Sequence, residues 1–285
     1  MTDEGVLSPR LPPELTDQII SFLDRDVDKN TLSCCSLVCK GWLPAARYRR
    51  FNTLRTDTYK STATKELLDN SPSIATYVTK LSFNSIGTLF TYGTLTSPLP
   101  DIYQALPNLI EIEFTKLDLV PESDPQLQLY FEGEEDIDWT LEIEVPPVAV
   151  ERLRFSSCLL SPDAMTRFFT PFLTPKELCF DRCLLEGIQM PVKPIQQKLW
   201  SVFQPPKCLK IERGLRSVDA GLLCRLFTWD REDYQLPVFI IEITEPTHVL
   251  PMVSFLERLG PTINHFELTV NSDASIPREY RWPPC

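Results

Sequence analysis

The residues best suited to chemistry in this sequence are cysteines spaced one helical turn apart. Cys35 and Cys39 lie in a cysteine-rich stretch, TLSCCSLVCKGW at 31–42, and Cys179 and Cys183 repeat the spacing further along. Such thiols could bind a metal ion or take part in redox chemistry. A structural zinc site needs four ligands, however, and no histidine lies near either pair. We therefore expect small buried hydrophobic side chains at these positions and no metal site.

Other catalytic side chains are scarce. The two histidines, His248 and His265, are the only candidates for a histidine base, and neither lies in a nucleophile motif. The chain has no Gly-x-Ser-x-Gly sequence and no glycine-rich phosphate loop. Its 9 glycines in 285 residues leave few places where the backbone could approach a nucleotide closely. We expect a protein that is not an enzyme, with no catalytic residues and no cofactor.

Composition and charge disfavour other classes of function. The net charge of −11 argues against nucleic acid as a partner. A third helix is predicted from Pro44 to Leu54, and the arginines in and just after it, Arg47, Arg49, Arg50 and Arg55, are most simply solvated, although a docking role remains open. No apolar run approaches a membrane span, and the first residues lack the regions of a signal peptide. Nine irregularly spaced cysteines do not resemble a secreted disulfide framework, so we expect a cytoplasmic or nuclear protein without a membrane partner.

Residues 11–54 have the pattern of three short helices, after a flexible tail at 1–10. Pro12 and Pro13 suit the start of the first helix, Asp28 could cap the second, and Pro44 could open a third that extends to Leu54. Apolar residues recur at helical spacing, at Leu11, Leu15, Ile19, Phe22 and Leu23 and then at Leu32, Cys35, Val38, Cys39 and Trp42. Three helices of this size bury little apolar surface among themselves, so we expect them to need a partner.

Two motifs in this module resemble the F-box family. They are Leu11-Pro12-x-Glu14-Leu15, with Ile19 and Leu23 on the following turns, and Ser36-Leu37-Val38-Cys39-Lys40-x-Trp42. The resemblance implies docking onto the Skp adaptor of an SCF (Skp–cullin–F-box) ubiquitin ligase. The adaptor-binding positions that it implies are Leu11, Pro12, Leu15, Ile19, Leu23, Val38 and Cys39, and we expect Leu32 and Trp42 in the core of the module.

From residue 55 onwards a short apolar pattern returns at irregular intervals. An apolar residue is followed three positions later by a second, and two positions after that by a third, as in VERLRF at 150–155. The central residues of the seven units are Leu81, Ile112, Leu153, Leu178, Leu209, Ile241 and Phe266. Each unit predicts a strand whose side chains alternate between two faces.

Helix-like segments lie between several of these strands, at 64–68, 101–106, 162–170, 218–229 and 250–259. Strands alternating with helices predict parallel strands with helical crossovers. The array resembles a degenerate leucine-rich repeat, which implies a curved solenoid; a generic α/β sheet domain is the alternative. The predicted fold is therefore α+β overall, with a three-helix F-box at 11–54 followed by an α/β leucine-rich-repeat-like domain at 55–285.

Alternation along the strands brings polar residues together on one face. The candidate partner-binding residues there are Glu111, Glu113, Arg152, Arg154, Glu177, Lys210, Glu242 and Glu267, accompanied by Lys80, Ser82 and His265. In a solenoid this would be the concave face, which commonly binds a protein partner. A face that only contacts solvent would have the same sequence, so both interpretations stay open.

An acidic insertion occupies residues 118–145. It has nine acidic residues between 122 and 144, and no lysine or arginine occurs from 117 to 151. Alternating apolar residues at 141–145 favour an extra edge strand that its charges protect from aggregation. A docking loop for a basic substrate is the alternative.

These features together predict a substrate-recognition subunit of an SCF-type E3 ubiquitin ligase. The F-box would bind the Skp adaptor, and through it a cullin, while the repeats would bind a protein target that the sequence does not identify. The alternative is a scaffold protein that acts outside a ligase, because nothing in the sequence separates these two functions.

Overall fold

The computed structural model of the chain describes residues 11–57, 59–84, 89–90, 99–119, 148–160, 172–173, 175–185, 206–212, 236–243, 256 and 263–270. Within these ranges the protein combines α-helices with parallel β-strands, which confirms the mixed architecture expected from the sequence. No helix in the described ranges has the length and hydrophobicity needed to cross a membrane.

Three helices come first: α1 (Pro13–Ser21), α2 (Lys29–Val38) and α3 (Leu43–Phe51). The third helix ends before Leu54, which the sequence had placed on it. The helices share a small core that consists of Ile20, Leu32, Cys35 and Ala46, with Leu23, Trp42 and Ala45 packed at its edge.

The remaining elements follow in chain order. They are β1 (Thr53–Asp57), α4 (Ser61–Asn70), α5 (Pro72–Ala75), β2 (Lys80–Asn84), β3 (Leu89–Phe90), α6 (Leu99–Gln104), β4 (Glu111–Thr115), β5 (Asp118–Leu119), β6 (Val148–Ala149), β7 (Arg152–Ser156), β8 (Leu159–Leu160), β9 (Phe172–Leu173), β10 (Glu177–Asp181), β11 (Leu184–Leu185), β12 (Cys208–Glu212), β13 (Val238–Ile243) and β14 (His265–Val270).

An eight-stranded parallel sheet runs β1-β2-β4-β7-β10-β12-β13-β14, so that its strands follow chain order. The register is the same at every step: Thr53 pairs with Lys80, Lys80 with Glu111 and Glu111 with Arg152, and this alignment continues to His265. Because side chains alternate along a strand, the second and fourth positions form rows on one face, and the first, third and fifth form rows on the other.

The alignment places the predicted central residues in one row, with the exception of Ile241. That residue pairs with Ile211 and Leu268, so Phe239 holds the central position of β13. The sequence LPVFIIEI has apolar residues at both registers. Leu236 lies three positions before Phe239 and is fully buried, so the apolar spacing fits the register that has Phe239 at the central position.

The sheet also contains a strand that the apolar pattern did not reveal. β1 spans the predicted boundary between residues 54 and 55, and Thr56 lies where the next strand has Phe83. The Thr56 side chain is buried, and its hydroxyl lies 2.8 Å from the hydroxyl of Thr64 on α4. Because the residue at this position is polar, β1 lacks the apolar pattern by which the other strands were predicted.

Phenylalanines form the centre of the core. Phe83, Phe114, Phe155 and Phe180 hold the fourth positions of β2, β4, β7 and β10, and all are buried. Successive ring centroids lie 6.1, 5.7 and 5.5 Å apart, and the last two pairs are stacked at 18° and 14°. Contacts between aromatic rings add to the stabilisation from burial, so this row links the strands.

A residue in the left-handed conformation follows three of the strands. Lys116, Ser157 and Arg182 have φ values of 55°, 55° and 54° after β4, β7 and β10. This conformation costs a non-glycine residue about 1–2 kcal/mol. Hydrogen bonds to the next strand offset part of this cost. The N–H of Lys116 donates to the carbonyl of Ser156, and the N–H of Ser157 donates to the carbonyl of Asp181. The chain then enters β5, β8 and β11, which form a second parallel sheet with β3 in the order β11-β8-β5-β3. Strands β6 and β9 form a third sheet.

The described crossover helices agree with the predicted ones. The segments at 64–68 and 101–106 correspond to α4 and α6, which lie between successive strands of the main sheet. The predicted helices at 162–170, 218–229 and 250–259 lie outside the described residues, apart from Leu256, which is helical. The acidic insertion, including the expected strand at 141–145, also lies outside them, apart from β5.

Replacement of a stacked ring should destabilise the sheet strongly. Phe155→Ala removes a buried ring between Phe114 and Phe180, and the cavity should lower the free energy of unfolding by about 3–5 kcal/mol. The matched control, Phe22→Ala, removes a ring that is 79% exposed and should cost less than about 1 kcal/mol. Urea unfolding measures both changes, and similar losses would contradict the assigned core.

Candidate functional site

Helices α1 and α2 expose an apolar surface. Leu15 and Ile19 are 47% and 44% exposed, whereas Ile20 on the same helix is buried in the small core. Leu37 and Val38, at the end of α2, are 84% and 62% exposed. We call the exposed apolar residues of α1, α2 and the segments beside them the helical face, which consists of Leu11, Leu15, Ile19, Phe22, Val27, Leu37 and Val38. A group of exposed apolar side chains this large is typical of a protein-binding site.

Most residues predicted to bind an adaptor lie on or beside the helical face. The exposed ones are Leu11, Pro12, Leu15, Ile19, Val38 and Cys39. Leu23 is only partly exposed, because it packs against the core of the helices. Of the two predicted core residues, Leu32 is fully buried and Trp42 packs at the edge of the core. The adaptor-binding prediction left out Phe22, Val27 and Leu37. Val27 lies in the loop after α1, where helical periodicity gives no signal.

Polar contacts shape the loop between α1 and α2. One carboxylate oxygen of Asp24 accepts hydrogen bonds from the backbone N–H groups of Asp26 and Val27, each at 2.8 Å. These two bonds lower the pKa of Asp24. Asp28 precedes α2 as predicted, but its carboxylate accepts from the N–H of Asp24 at 2.8 Å instead of capping the first turn of the helix.

Two of the arginines that were expected to be solvated also make polar contacts within the module, although Arg50 is exposed as expected. Arg49 Nε donates to the backbone carbonyl of Leu23 at 2.9 Å. Arg50 Nη1 donates to Ser33 Oγ on α2 at 2.7 Å. The third helix therefore has polar contacts with both the segment after α1 and the middle of α2.

The second surface is a network of paired charges on one side of the main sheet. We call the side chains at the first, third and fifth positions of β2, β4, β7, β10 and β12 the charged face. Its ion-paired members are Lys80, Glu111, Glu113, Arg152, Arg154, Glu177, Asp181, Lys210 and Glu212. Uniform register brings these residues together, because it places equivalent positions of adjacent strands side by side.

Lys80 connects the two carboxylates of β4. Its Nζ lies 2.7 Å from Glu111 Oε1 and 2.9 Å from Glu113 Oε2, and Arg152 Nε donates to the other oxygen of Glu111 at 3.0 Å. Burial alone would lower the pKa of Lys80 and raise the pKa of Glu111. The hydrogen bonds outweigh burial, so the pKa of Lys80 is raised and that of Glu111 is lowered. Both groups are therefore charged at neutral pH.

Arg154 is the centre of the network. Its Nη2 lies 2.7 Å from Glu212 Oε2 and 3.2 Å from Asp181 Oδ2, and its Nε lies 3.6 Å from Glu113 Oε1. The Asp181 side chain is only 2% exposed and also accepts a hydrogen bond from Ser156 Oγ at 3.3 Å. A buried carboxylate is costly without a nearby cation. Arg154 and Arg182, whose Nε lies 3.5 Å from Asp181 Oδ1, both compensate the charge of Asp181, and Arg154 also links β7 to three other strands.

Cys179 lies beside Arg154, whose Nη1 donates to its Sγ at 3.3 Å. Burial raises the pKa of Cys179 to about 12, although Arg154 partly opposes this effect. The residue is therefore a thiol at neutral pH, whereas the thiolate is the reactive form of cysteine. Cys35 and Cys183 are buried as expected, but Cys39 is exposed at the end of α2.

The remaining predicted partner-binding residues extend this surface. Glu177 Oε1 lies 2.6 Å from Lys210 Nζ, and this hydrogen bond raises the pKa of Lys210. Glu242 and Glu267 lie on the same side of β13 and β14. Glu267 Oε2 is 3.9 Å from His265 Nε2. The structure thus brings all the predicted residues to one side of the sheet and pairs those from β4 to β12 with one another.

Two members of the network, Asp181 and Glu212, were not predicted. Both hold the fifth position of their strand. They would have been identified if the alternation had been extended from the third position to the fifth. The prediction also did not anticipate that the charges give way to apolar residues on β13, where Val238 and Ile240 hold the first and third positions.

No group of three histidine, cysteine, aspartate or glutamate side chains in the described ranges is placed to hold a metal ion. No protein-family model matches the chain, and no curated protein matches it. The helical face and the charged face are the two candidate functional surfaces among the described residues.

Removal of the central guanidinium should destabilise the protein more than removal of an outer one. Arg154→Met removes one of the two arginines that pair with the buried Asp181, together with the ion pairs to Glu113 and Glu212, so we expect the free energy of unfolding to fall by about 2 kcal/mol. The matched control, Arg152→Met, removes a half-exposed side chain that pairs with Glu111 and should cost less than about 1 kcal/mol. Urea unfolding at neutral pH compares the two, and an equal or larger loss for Arg152→Met would contradict the central position of Arg154.

The contribution of Lys80 should depend on pH. The lowered pKa of Glu111 means that its pairing stabilises the protein above the ordinary glutamate pKa of about 4.3, and that this stabilisation is lost as the pH falls through the lower folded value. Lys80→Met should therefore cost about 1 kcal/mol at pH 7 and less at pH 3, on the acid side of the ordinary glutamate pKa, because the unfolded state then already carries a protonated Glu111.

Urea midpoints of wild type and Lys80→Met at both pH values measure this difference. Lys176→Met provides the control, because Lys176 pairs with Glu151 on the exposed surface and its loss should change the midpoint little at either pH. A Lys80→Met deficit that persists unchanged in acid would contradict the assigned pairing.

Proposed function

We propose that this protein is a substrate-recognition subunit of an SCF-type E3 ubiquitin ligase. The helical face binds the Skp adaptor, and through it a cullin, while the strand array binds a protein target. The observation that carries this proposal is the exposed apolar row on α1 and α2, which coincides with adaptor-binding positions implied by the F-box resemblance. Transfer of these side chains into an interface would contribute about 25 cal/mol per Å² of apolar area.

In this proposal the three helices are the F-box. The bounds of α1–α3 fall within residues 11–54, where the resemblance lies. The core of the helices contains Ile20, Leu32, Cys35 and Ala46, while more apolar side chains than these remain exposed. Helices with so little buried surface gain stability when a partner covers their apolar side.

The strand array is the leucine-rich-repeat-like solenoid of the proposal. Strands in chain order, one register throughout and the same left-handed turn after three strands support a unit that repeats in one direction. Such units stack into an elongated row with a continuous surface for partners.

The charged face is the proposed target-binding surface. Its ion pairs hold long side chains in place before a target arrives, which reduces the conformational entropy lost on binding. Its alternating charges would select a target by electrostatic complementarity. The subunit itself makes and breaks no bonds; it raises the effective concentration of the target near the enzyme that carries ubiquitin. Free thiols at the described cysteines fit a cytoplasmic or nuclear protein.

Substitutions on the helical face should abolish adaptor binding. Full-length chain co-expressed with the Skp adaptor should elute as a 1:1 complex in size-exclusion chromatography with mass analysis. Leu15→Asp/Ile19→Asp places two charges in the proposed interface and should weaken the complex at least about 100-fold. Leu67→Asp is the matched control, because Leu67 is a 44% exposed leucine on α4, outside the helical face, and its substitution should leave the complex intact.

Three results would contradict the proposal. Wild type that elutes alone and folded would exclude adaptor binding. Equal binding by Leu15→Asp/Ile19→Asp and wild type would exclude the helical face as the docking surface. A complex with the adaptor from which the cullin is excluded would favour the alternative of a scaffold that acts outside a ligase.

A further inference from the structure

The ladder of ion pairs on the charged face is interrupted at β13. Val238 and Ile240 hold the first and third positions of this strand, where β4 and β7 carry charged side chains. Ile240 lies in register between Lys210 of β12 and Glu267 of β14. Because neighbouring strands lie about 4.8 Å apart, the backbones of these two charged residues are roughly 10 Å from each other. Lys210 pairs instead with Glu177 of β10 at 2.6 Å.

Three uncharged side chains lie side by side at this point. Cys208 of β12 is in register with Val238, and Ile240 follows on the same side of β13. We call these three residues the apolar strip, and all of them are partly exposed. Burial raises the pKa of Cys208 to about 11, so its side chain is an uncharged thiol at neutral pH. Phe239 and Ile241 supply the core on the opposite side of β13, so the strip is apolar surface facing away from that core.

The charges around the apolar strip are mainly negative. On its side of β12, β13 and β14 lie one lysine and three carboxylates, which are Lys210, Glu212, Glu242 and Glu267. The Glu267 side chain is 56% exposed. Among the described residues its charged neighbour is His265, with 3.9 Å between Oε2 and Nε2, and this contact is an ion pair only when the imidazole is protonated. The carboxylate of Glu267 is therefore accessible to a cation from a partner.

We propose that the apolar strip and Glu267 form the subsite that recognises the target, and that its ligand is a protein segment with an aliphatic or aromatic side chain next to a lysine or arginine. The apolar side chain covers the strip and removes apolar surface from water on both partners. The neighbouring cation pairs with Glu267, as charge complementarity requires. This inference rests on the proposed function, because it takes the sheet as the surface that binds a protein target.

The centre of the charged face is less suited to supply affinity. Arg154 already lies 2.7 Å from Glu212 and 3.2 Å from Asp181, so a ligand at this point has to replace existing ion pairs. Contact with the apolar strip breaks no ion pair and adds apolar burial. Since a few well-packed contacts carry most of the energy of a protein interface, the strip should contribute more to affinity than the paired charges do.

Selection from a random peptide library displayed on phage tests the proposal. The bait is the full-length chain with Leu15→Asp/Ile19→Asp, in which charges block the helical face. Recovered peptides should share an apolar residue next to lysine or arginine. Recovery of no peptide, or of peptides without this pair, would overturn the proposal. Adaptor binding is measured separately with the wild-type chain, so a failure of the proposed ligase function is distinguished from a failure of this subsite.

An isosteric change in the strip provides the first quantitative test. Val238→Thr/Ile240→Thr keeps the β-branched side chains that suit a strand but replaces apolar groups by hydroxyls. In the background of the bait it should weaken binding of a recovered peptide at least about 10-fold, as measured by fluorescence anisotropy. Leu67→Thr is the matched control, because it alters a 44% exposed leucine on α4 and should leave affinity unchanged. Equal affinities of the strip variant and the bait would overturn the proposal.

A double-mutant comparison tests the pairing with Glu267. Glu267→Gln should weaken binding of the recovered peptide about 3-fold, because one exposed ion pair is lost. A peptide in which glutamine replaces the basic residue should bind the bait and Glu267→Gln equally. If Glu267→Gln weakens both peptides alike, or neither, the assigned partner of the cation is wrong and the proposal is overturned.

Two other occupants of the strip would give different results. If another part of the chain covers the strip, Val238→Thr/Ile240→Thr should lower the urea midpoint by more than about 1 M. If a second copy covers it, the wild-type chain should be a dimer that the same substitutions convert to a monomer. Either result would overturn the proposal, whereas we expect a monomer whose midpoint changes by less than this amount.

Discussion

The uniform register of the parallel strands is the constraint on which the rest of the structure depends. Because every strand of the main sheet begins at an equivalent position, each residue lies beside its counterpart on the next strand. Phenylalanines therefore stack on phenylalanines on one side of the sheet, and lysines and arginines meet carboxylates on the other. A shift of one residue in any strand would exchange the two sides, burying charge and exposing rings.

The sequence predicts the fold well where burial and alternation act together. Leu81, Ile112 and Leu153 mark their strands because apolar residues flank them at fixed spacing. The same reasoning fails at Thr56, where a hydrogen bond between two hydroxyls substitutes for apolar packing, and at Ile241, where an apolar run fits two registers. Local patterns cannot resolve such cases, because the contact that decides them comes from another part of the chain.

The candidate surfaces, too, could be predicted from the sequence only in part. Exposure of Leu15 and Ile19 follows from helical spacing, since Ile20 already fills the small core. The charges of Glu113 and Arg154 could be placed on one side of the sheet from alternation alone. Their pairing across strands could not, because the intervals between strands vary and only the folded register shows which charges meet. The two surfaces also differ physically: the helical face offers apolar area, whereas the charged face offers charges that are already largely paired with one another.

The pairing of charges within the charged face affects any molecule that touches the centre of that face. Asp181 is almost inaccessible and already pairs with Arg154 and Arg182, and Arg154 also pairs with Glu212. An incoming cation would have to displace Arg154, and an incoming anion would have to draw it away from both carboxylates. Association at this point is thus an exchange of one ion pair for another, in which the number of paired charges hardly changes. Its affinity would respond weakly to ionic strength, unlike that of ordinary charge-driven association.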